Sequence, residues 1–572
     1  MRTRSTFASA VFGASLLIGH AYAQVPYPDR LKWWADARFG MFIHWGPVSL
    51  KETEISWSRA NTNPKCPNQG PISAEEYDNL YKRFNPTQFN AKEWVRIAQK
   101  AGMKYIVLTA KHCDGFLLWN SKVSDYNIMH TPFKRDVCAE LAKAAHEAGM
   151  RLGWYFSPMD WKDPDCRNAG NAAFVKRMQA EIRELLSNYG KIDLLWFDYD
   201  GRDAVWEPKS TYALVKKLQP KIVINNRLDL GPGKEAGSPL NIAPNADYFT
   251  PEQWIGSFND QRPWESCMTM SQKAQWSWAG EADKSKPLNS ILDMLTGCAG
   301  GDGNVLLDVG PKPDGRIGTP QLQRLKELGV WWSKFGNTIR GTRGGPYLPG
   351  EYGTSTRKGN TVFLHVHDWG TGVLHLPPFP AKVVRSRVLT GGTAKVSQST
   401  SGITISLPAS NRAPFDTIIA LDLDRSALKL PPMQVPAAKS LSLGAKATAS
   451  NVYQGQGEFG PDKAIDGKLD TRWATDNGTH QAWLEVDLGK PRAFDHVSIV
   501  QAYPELKRIR RFAIEYWTGD VWKVAFNGGD PGAKLVVSFP PVTAQKVRLN
   551  ILNATEGPTI WEFKVFAPEA IK

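Results

Sequence analysis

From about residue 38 the chain alternates short apolar runs with stretches of helical period. Trp94, Ile97, Ala98 and Ala101 fall at i, i+3, i+4 and i+7, and Gly102 follows where such a helix would stop. Residues 105–109 then read as a buried strand. The pattern returns with Leu141, Ala144, Ala145 and Ala148 before Gly149 and strand 152–156, and again with Ile182, Leu185, Leu186 and Tyr189 before Gly190 and strand 192–197. Further strands are expected at 39–44, 222–225, 248–250 and 305–309. Parallel strands need crossover helices of this kind. The length of the repeat, and the lack of a Gly-x-Gly-x-x-Gly after the early strands, predict a closed (β/α)8 TIM-like barrel over 24–343 rather than an open doubly wound sheet.

After Gly344 the helical period disappears. Runs at 361–367, 402–407 and 416–422 are short and β-branched, which predicts a small antiparallel β domain over 344–424. Pro431, Pro432 and Pro436 suggest a stiff linker at 425–439. The remainder, 440–572, is an all-β stretch containing Trp473, Trp483, Trp517, Trp522 and Trp561, and a β-sandwich is the simplest reading. With 572 residues, 42% of them hydrophobic, the chain is no small stapled scaffold and no disordered one. The formal charge of +14 is scattered, apart from Lys507, Arg508, Arg510 and Arg511, so no nucleic-acid partner is expected. Arg2 and Arg4, an apolar run at 7–18 and small residues at Ala21 and Ala23 read as a signal peptide over 1–23, which predicts export to the periplasm or medium. No later stretch has the length and apolarity of a membrane span. Six cysteines leave disulfide pairing open.

On a barrel, chemistry belongs at the carboxyl ends of strands, and here those ends are polar: His44, His112, Asp114, Asp198, Arg227 and Glu252. Asp198 directly follows an apolar strand, where it is either an active-site carboxylate or a helix N-cap. Glu252 lies in Thr250-Pro251-Glu252-Gln253, after another strand candidate. Two carboxylates from different strands can converge across a pocket, as glycosidic cleavage requires. Glu54 and Glu265 compete with Glu252 as proton donor. His112, Cys113 and Asp114 are consecutive, so they cannot all share one strand face, and no His-Glu-x-x-His accompanies them. No catalytic metal or other cofactor is expected.

The run Phe39-Gly40-Met41-Phe42-Ile43-His44-Trp45-Gly46 is followed by Lys111-His112-Cys113-Asp114-Gly115-Phe116, by Trp196-Phe197-Asp198 and by Leu306-Leu307-Asp308-Val309-Gly310-Pro311. Together these motifs resemble the α-L-fucosidases of glycoside hydrolase family 29. The resemblance implies a retaining mechanism with Asp198 as nucleophile and Glu252 as acid/base, and sugar-binding roles for His44, Glu54, Trp57, His112, Trp196 and Arg227. Thr250-Pro251-Glu252-Gln253 and Trp264-Glu265-Ser266-Cys267-Met268-Thr269-Met270 are similar to the branch that takes α-1,3/1,4-linked fucose. Where the family has two adjacent histidines this chain has His112 and Cys113, and a thiol is a poorer donor.

Ala464-Ile465-Asp466-Gly467, Asp470-Thr471-Arg472-Trp473 and Trp483-Leu484-Glu485-Val486-Asp487-Leu488-Gly489 resemble the discoidin, or factor 5/8 type C, domain, whose nearest functional class is the family 32 carbohydrate-binding module. That resemblance implies a glycan-binding role and a structural calcium ion held by Asp466, Thr471, Glu562 and the carbonyl of Lys463. Fucosylated oligosaccharides or glycoproteins are the implied partners. The rival readings are an inactive fucose- or galactose-binding, lectin-like protein and a retaining glycosidase for a related sugar.

Overall fold

The computed structural model describes residues 27–61, 70–198, 206–229, 237–238, 243, 245–370, 372–436, 440–468, 471–532 and 534–568. The signal-peptide reading at 1–23, Cys66, Asp470 and residues 437–439 of the expected linker lie outside them. Among the described residues no helix is long and apolar enough to cross a membrane, and no disulfide joins the five described cysteines.

The first layer is a curled parallel sheet of seven strands. They are β1 (Phe39–Ile43), β2 (Tyr105–Lys111), β3 (Arg151–Phe156), β4 (Leu194–Phe197), β5 (Val223–Ile224), β6 (Glu265–Thr269) and β7 (Asn304–Val309), in the order β5-β4-β3-β2-β1-β7-β6. The helix Ala91–Ala101 shows how locally its parts are specified. The Asn90 side chain accepts from Glu93 N at one end, and Gly102, at φ 97°, closes the other by donating to Ala98 and Gln99. Successive strand residues face opposite ways. Phe39, Met41, Ile43, Leu195, Phe197, Leu307 and Val309 therefore pack outward under the helices, while Phe42, Tyr155, Trp196, Cys267 and Leu306 fill the interior. Helix α1 (Asp29–Ala37), which the periodicity did not announce, contributes Trp34 to that interior cluster.

Two expectations change. Residues 265–269, read only as part of a motif, form a full strand. Residues 248–252 form none, and contribute isolated parallel bridges instead: Asn225 to Tyr248, Phe249 to Trp264 and Glu252 to Cys267. Pro251 lies within this segment and has no N–H for a ladder. The bridges nonetheless reach from the end of β5 to β6, the two edges of the sheet.

A bulge in β2 sets the facing of the residues that follow it. The register with β3 shifts between Thr109 and Lys111, so Lys111 pairs with Phe156, a residue of the outer core. Lys111 is thereby turned outward, where it is buried between Asp160 at 3.0 Å and Glu181 at 2.8 Å. His112 takes the inward position.

The second unit holds a five-stranded antiparallel sheet, from Val383–Val388 through Thr417–Leu423, Thr361–Val366 and Gly353–Lys358 to Arg343–Gly344. A three-stranded sheet, Val373–Leu376, Gly402–Ser406 and Lys395–Ser399, shares its core. Residues 427–435, within the segment read as linker, belong to this core. Ala427, Leu430 and Val435 are buried, and Met433 bridges to Tyr347. The third unit is a seven-stranded antiparallel sheet dominated by two long strands, Ala482–Gln501 and Lys534–Ala554, whose mutual register breaks twice. Trp473 is fully buried in its core, while Trp483 is partly exposed.

Replacing Lys111 by alanine leaves Asp160 and Glu181 buried without their shared cation. Chemical denaturation is expected to show a loss of about 3–5 kcal/mol, the usual cost of removing one partner from a buried ionic group.

Candidate active site

Inward-facing parity carries β4 from Trp196 to Asp198, at the open end of the sheet. The Asn225 side chain ties the neighbouring strand ends together, accepting from Phe197 N at 2.9 Å and donating to Phe197 O at 2.7 Å. Arg227 follows two residues later and is almost completely buried. Its Nη1 donates to Asp198 Oδ1 at 2.8 Å, and its Nη2 lies 2.8 Å from Glu252 Oε2. Its Nε donates to Thr250 Oγ1 at 2.8 Å, and the guanidinium lies 4.6 Å above the Trp196 ring. Glu252 is brought there by the paired backbone bonds Gln253 N to Cys267 O and Cys267 N to Pro251 O, both 3.0 Å. Two carboxylates from separate segments thus share one planar cation. The side chains of Asp198 and Glu252 remain 28% and 41% exposed, so both stay open to an incoming molecule.

The Tyr155 hydroxyl donates to the other Asp198 oxygen at 2.7 Å. Burial alone raises the Asp198 carboxyl, but the Arg227 charge and the Tyr155 hydroxyl outweigh it, and the group sits below the usual carboxylate range. It is ionised at neutral pH.

His44 and His112 face each other, with ring centroids 5.8 Å apart. His44 Nδ1 is 2.6 Å from Asp308 Oδ1, and His112 Nδ1 is 2.6 Å from Ser56 Oγ. The His112 ring stacks on Tyr155 at 5.3 Å and 1°. Burial pushes the imidazoles down, to about 4 for His44 and about 3 for His112, so both are neutral at neutral pH and suited to hydroxyl groups. Cys113 is buried against Ser157 Oγ at 3.1 Å. Asp114 is also buried, accepting from Tyr77 at 2.7 Å, and braces the loop from behind.

Glu54 is held by backbone donors, Trp276 N at 2.8 Å and Ile55 N at 3.0 Å, and burial raises its carboxyl. Trp276 lies 5.0 Å from His44 between centroids, so Glu54 shapes this wall through the 276–277 turn. Trp57 is 45% exposed and meets Trp161 edge-on at 5.1 Å. Trp196, given a sugar-binding role by the resemblance, lies under the clamp. It is 1% exposed, with Arg227 over its ring and Tyr155 stacked on it at 5.5 Å, so it supports the clamp. Glu265 is fully buried at the start of β6, which removes it as a proton donor to a bound molecule. Sequence reasoning missed Tyr155, Ser56 and Trp276. Tyr155 reads as one more apolar position of a buried strand, and only strand parity singles it out.

In the C-terminal unit, Thr471 Oγ1 lies 2.8 and 3.0 Å from the two Asp466 oxygens and 3.5 Å from Lys463 O. Glu562 Oε1 accepts from Gly467 N at 2.8 Å. Burial raises the Glu562 carboxyl to about 7, and the Asp466 charge adds to the rise. Two carboxylates, a hydroxyl and a carbonyl thus gather where the 463–471 turn meets the strand Thr559–Phe566, a donor set that suits a hard cation.

A family model described as alpha-L-fucosidase matches residues 23–337, and one described as F5/8 type C domain matches residues 446–563. Putative alpha-L-fucosidase 1 of Oryza sativa subsp. japonica is 24% identical over 564 residues, covering 95% of this chain and 85% of that protein. The solved alpha-L-fucosidase isoenzyme 1 from Paenibacillus thiaminolyticus is 30% identical, with TM-score 0.61, and spans 69% of this chain and 99% of its own. A Bacteroides thetaiotaomicron alpha-L-fucosidase, solved as a trapped covalent intermediate with 2-fluoro-fucosyl fluoride, is 25% identical, with TM-score 0.61 over 70% of this chain and 98% of its own.

These matches make the protein a glycoside hydrolase. The chain belongs to the α-L-fucosidase family, glycoside hydrolase family 29, and carries an F5/8 type C domain on its C-terminal side.

Proposed function

We propose that the protein is an exported, retaining exo-α-L-fucosidase that removes terminal α-1,3/1,4-linked L-fucose from oligosaccharides or glycoconjugates. In this reading 248–252 is the eighth strand position of a (β/α)8 barrel, supported by its bridges to both sheet edges. The discoidin-like unit is a carbohydrate-binding sandwich that keeps the enzyme near its glycan. The observation that carries the catalytic reading is the shared Arg227 clamp on Asp198 and Glu252.

Asp198 attacks the anomeric carbon while Glu252 gives its proton to the departing sugar oxygen. The glycosidic C–O bond breaks as a fucosyl–Asp198 ester forms. The negative charge thereby passes from Asp198 to Glu252, and Arg227, lying between them, keeps an ionic partner throughout. Glu252 then takes a proton from water, whose oxygen attacks the same carbon and releases Asp198. Two inversions give retention, for which the carboxyl groups should lie about 5–5.5 Å apart. The Bacteroides relative trapped as a covalent intermediate supports this route. His44 and His112 bind ring hydroxyls, Trp57 offers an apolar wall, and Glu54 and Trp196 act through Trp276 and Arg227.

Asp198→Ala is expected to lower kcat on the order of 10^4-fold with an unchanged circular dichroism spectrum. Glu252→Ala should lose about 10^2–10^4-fold on oligosaccharides. It should lose far less on aryl fucosides, whose leaving groups need no proton, and early proton NMR of the wild type should show α-L-fucose. Wild-type turnover in Asp198→Ala would overturn the nucleophile, and sugar binding without any fucose release would favour the lectin-like reading. Comparing α-1,2, α-1,3, α-1,4 and α-1,6 fucosides tests the linkage.

Arg227 lowers the Asp198 carboxyl, so its contribution is present while Asp198 is ionised and is lost as pH falls through the folded-state value. Arg227→Met should therefore move the acid limb of kcat/KM to higher pH and lower the plateau about 10^2–10^3-fold.

We also propose a structural Ca2+ at Lys463 O, Asp466, Thr471 and Glu562, which would tie the 463–471 turn to the strand carrying Glu562. Millimolar Ca2+ is expected to raise, and a chelator to lower, the melting temperature of the wild type. Asp466→Ala should abolish the difference.

A further inference from the structure

Ser56 carries out none of the chemistry above, yet it is held in a costly conformation. It is fully buried at φ 57°, in the left-handed region that a glycine would enter more easily than a serine. Three hydrogen bonds keep it there. Its N–H donates to the Tyr77 hydroxyl at 2.8 Å, its carbonyl accepts from Arg59 N at 2.9 Å, and its Oγ accepts from Asp114 N at 2.8 Å. Tyr77 in turn donates to Asp114 Oδ2 at 2.7 Å, so residues 56 and 114 are joined twice, directly and through Tyr77.

This closed ring decides where the Ser56 proton goes. Since Oγ already accepts from Asp114 N, the partner left to it among the described residues is His112 Nδ1, at 2.6 Å. A hydroxyl has one proton to give. If Nδ1 carried the imidazole proton, Oγ would face two donors while its own proton lay buried without an acceptor, a costly state. Ser56 is therefore the donor and Nδ1 is bare. Because burial keeps His112 neutral, its single proton then sits on Nε2, which has no hydrogen-bond partner among the described residues. The ring carrying that N–H lies parallel to Tyr155, whose hydroxyl donates to Asp198.

We propose that Ser56 is a positioning residue that fixes the tautomer of His112, so that the imidazole offers Nε2–H, a donor, to a ring-hydroxyl oxygen of the bound sugar. The inference deepens the reading of His112 as a sugar ligand and rests on it. It distinguishes Ser56 from a residue that serves the loop alone, whose loss would lower stability without moving a proton between the imidazole nitrogens.

The test begins with full-length protein labelled with 15N-histidine, without sugar, at neutral pH. His112 is assigned by its absence from the spectrum of His112→Gln. In the wild type Nδ1 should be unprotonated and Nε2 protonated, and in Ser56→Ala the Nε2-protonated share should fall. Kinetics with aryl α-L-fucosides and their 2-, 3- and 4-deoxy analogues follow. Ser56→Ala should lower kcat/KM about three- to tenfold, the scale of one hydrogen bond. At one deoxy position that loss should vanish, because the oxygen that would accept from Nε2 is gone. Should Ser56→Ala fail to fold, Ser56→Gly, which relieves the backbone, decides on the same readouts. A proton on Nδ1 in the wild type, an unchanged tautomer in the folded variant, or losses that multiply at all three deoxy positions overturns the proposal. Failure of the fucosidase reading shows separately, as wild-type protein that releases no fucose.

Discussion

One guanidinium shared between two carboxylates is the constraint on which the site depends. Asp198 and Glu252 come from segments more than fifty residues apart, and nothing in their local sequence obliges them to meet. Arg227 draws them together with its two terminal nitrogens and is itself fixed by Thr250 and by the Trp196 ring. A buried cation needs an anionic partner, and Arg227 faces whichever of the two carboxyl groups carries the charge. The arrangement also suits double displacement, in which one negative charge alternates between the carboxyl groups while the total stays the same.

Around this clamp the sheet interior acts as a stack of layers. Tyr155 links His112 to Asp198, using its ring for one and its hydroxyl for the other. Trp196 packs against both Arg227 and Tyr155, and in the same interior Glu265 accepts from Trp34 and Tyr105. Polar groups at this depth are useful only when they satisfy one another. Cys113 is buried with its thiol 3.1 Å from Ser157 Oγ.

Beyond the parallel sheet, the two antiparallel units have cores of their own. Among the described residues, ion pairs join them from Lys534 to Asp368 and from Lys564 to Glu351. The strand that carries Glu562 beside the Asp466 turn also carries Lys564. The proposed calcium site and the contact with the middle unit therefore share one structural element.

Much of this was legible from residue patterns alone. Helical stripes with their stop glycines, the apolar strand before Asp198, the β-branched runs after 344 and the motifs of both resemblances depend on local spacing, and local spacing is what a sequence determines. Strand 265–269 was less legible because Glu265, Ser266 and Thr269 interrupt its apolar run, and their partners come from distant elements. That the Trp196 ring lies against Arg227 was not legible, because Arg227 is distant in sequence. His112 shows the division best. Unbroken alternation after Tyr105 would turn Lys111 inward and His112 outward, and the bulge at Thr109 reverses them. Burying the Lys111 charge between Asp160 and Glu181 accompanies that reversal. Residue types and spacing thus determined which groups were available, whereas only the tertiary structure decided which of them face one another, because facing depends on register and on partners far along the chain.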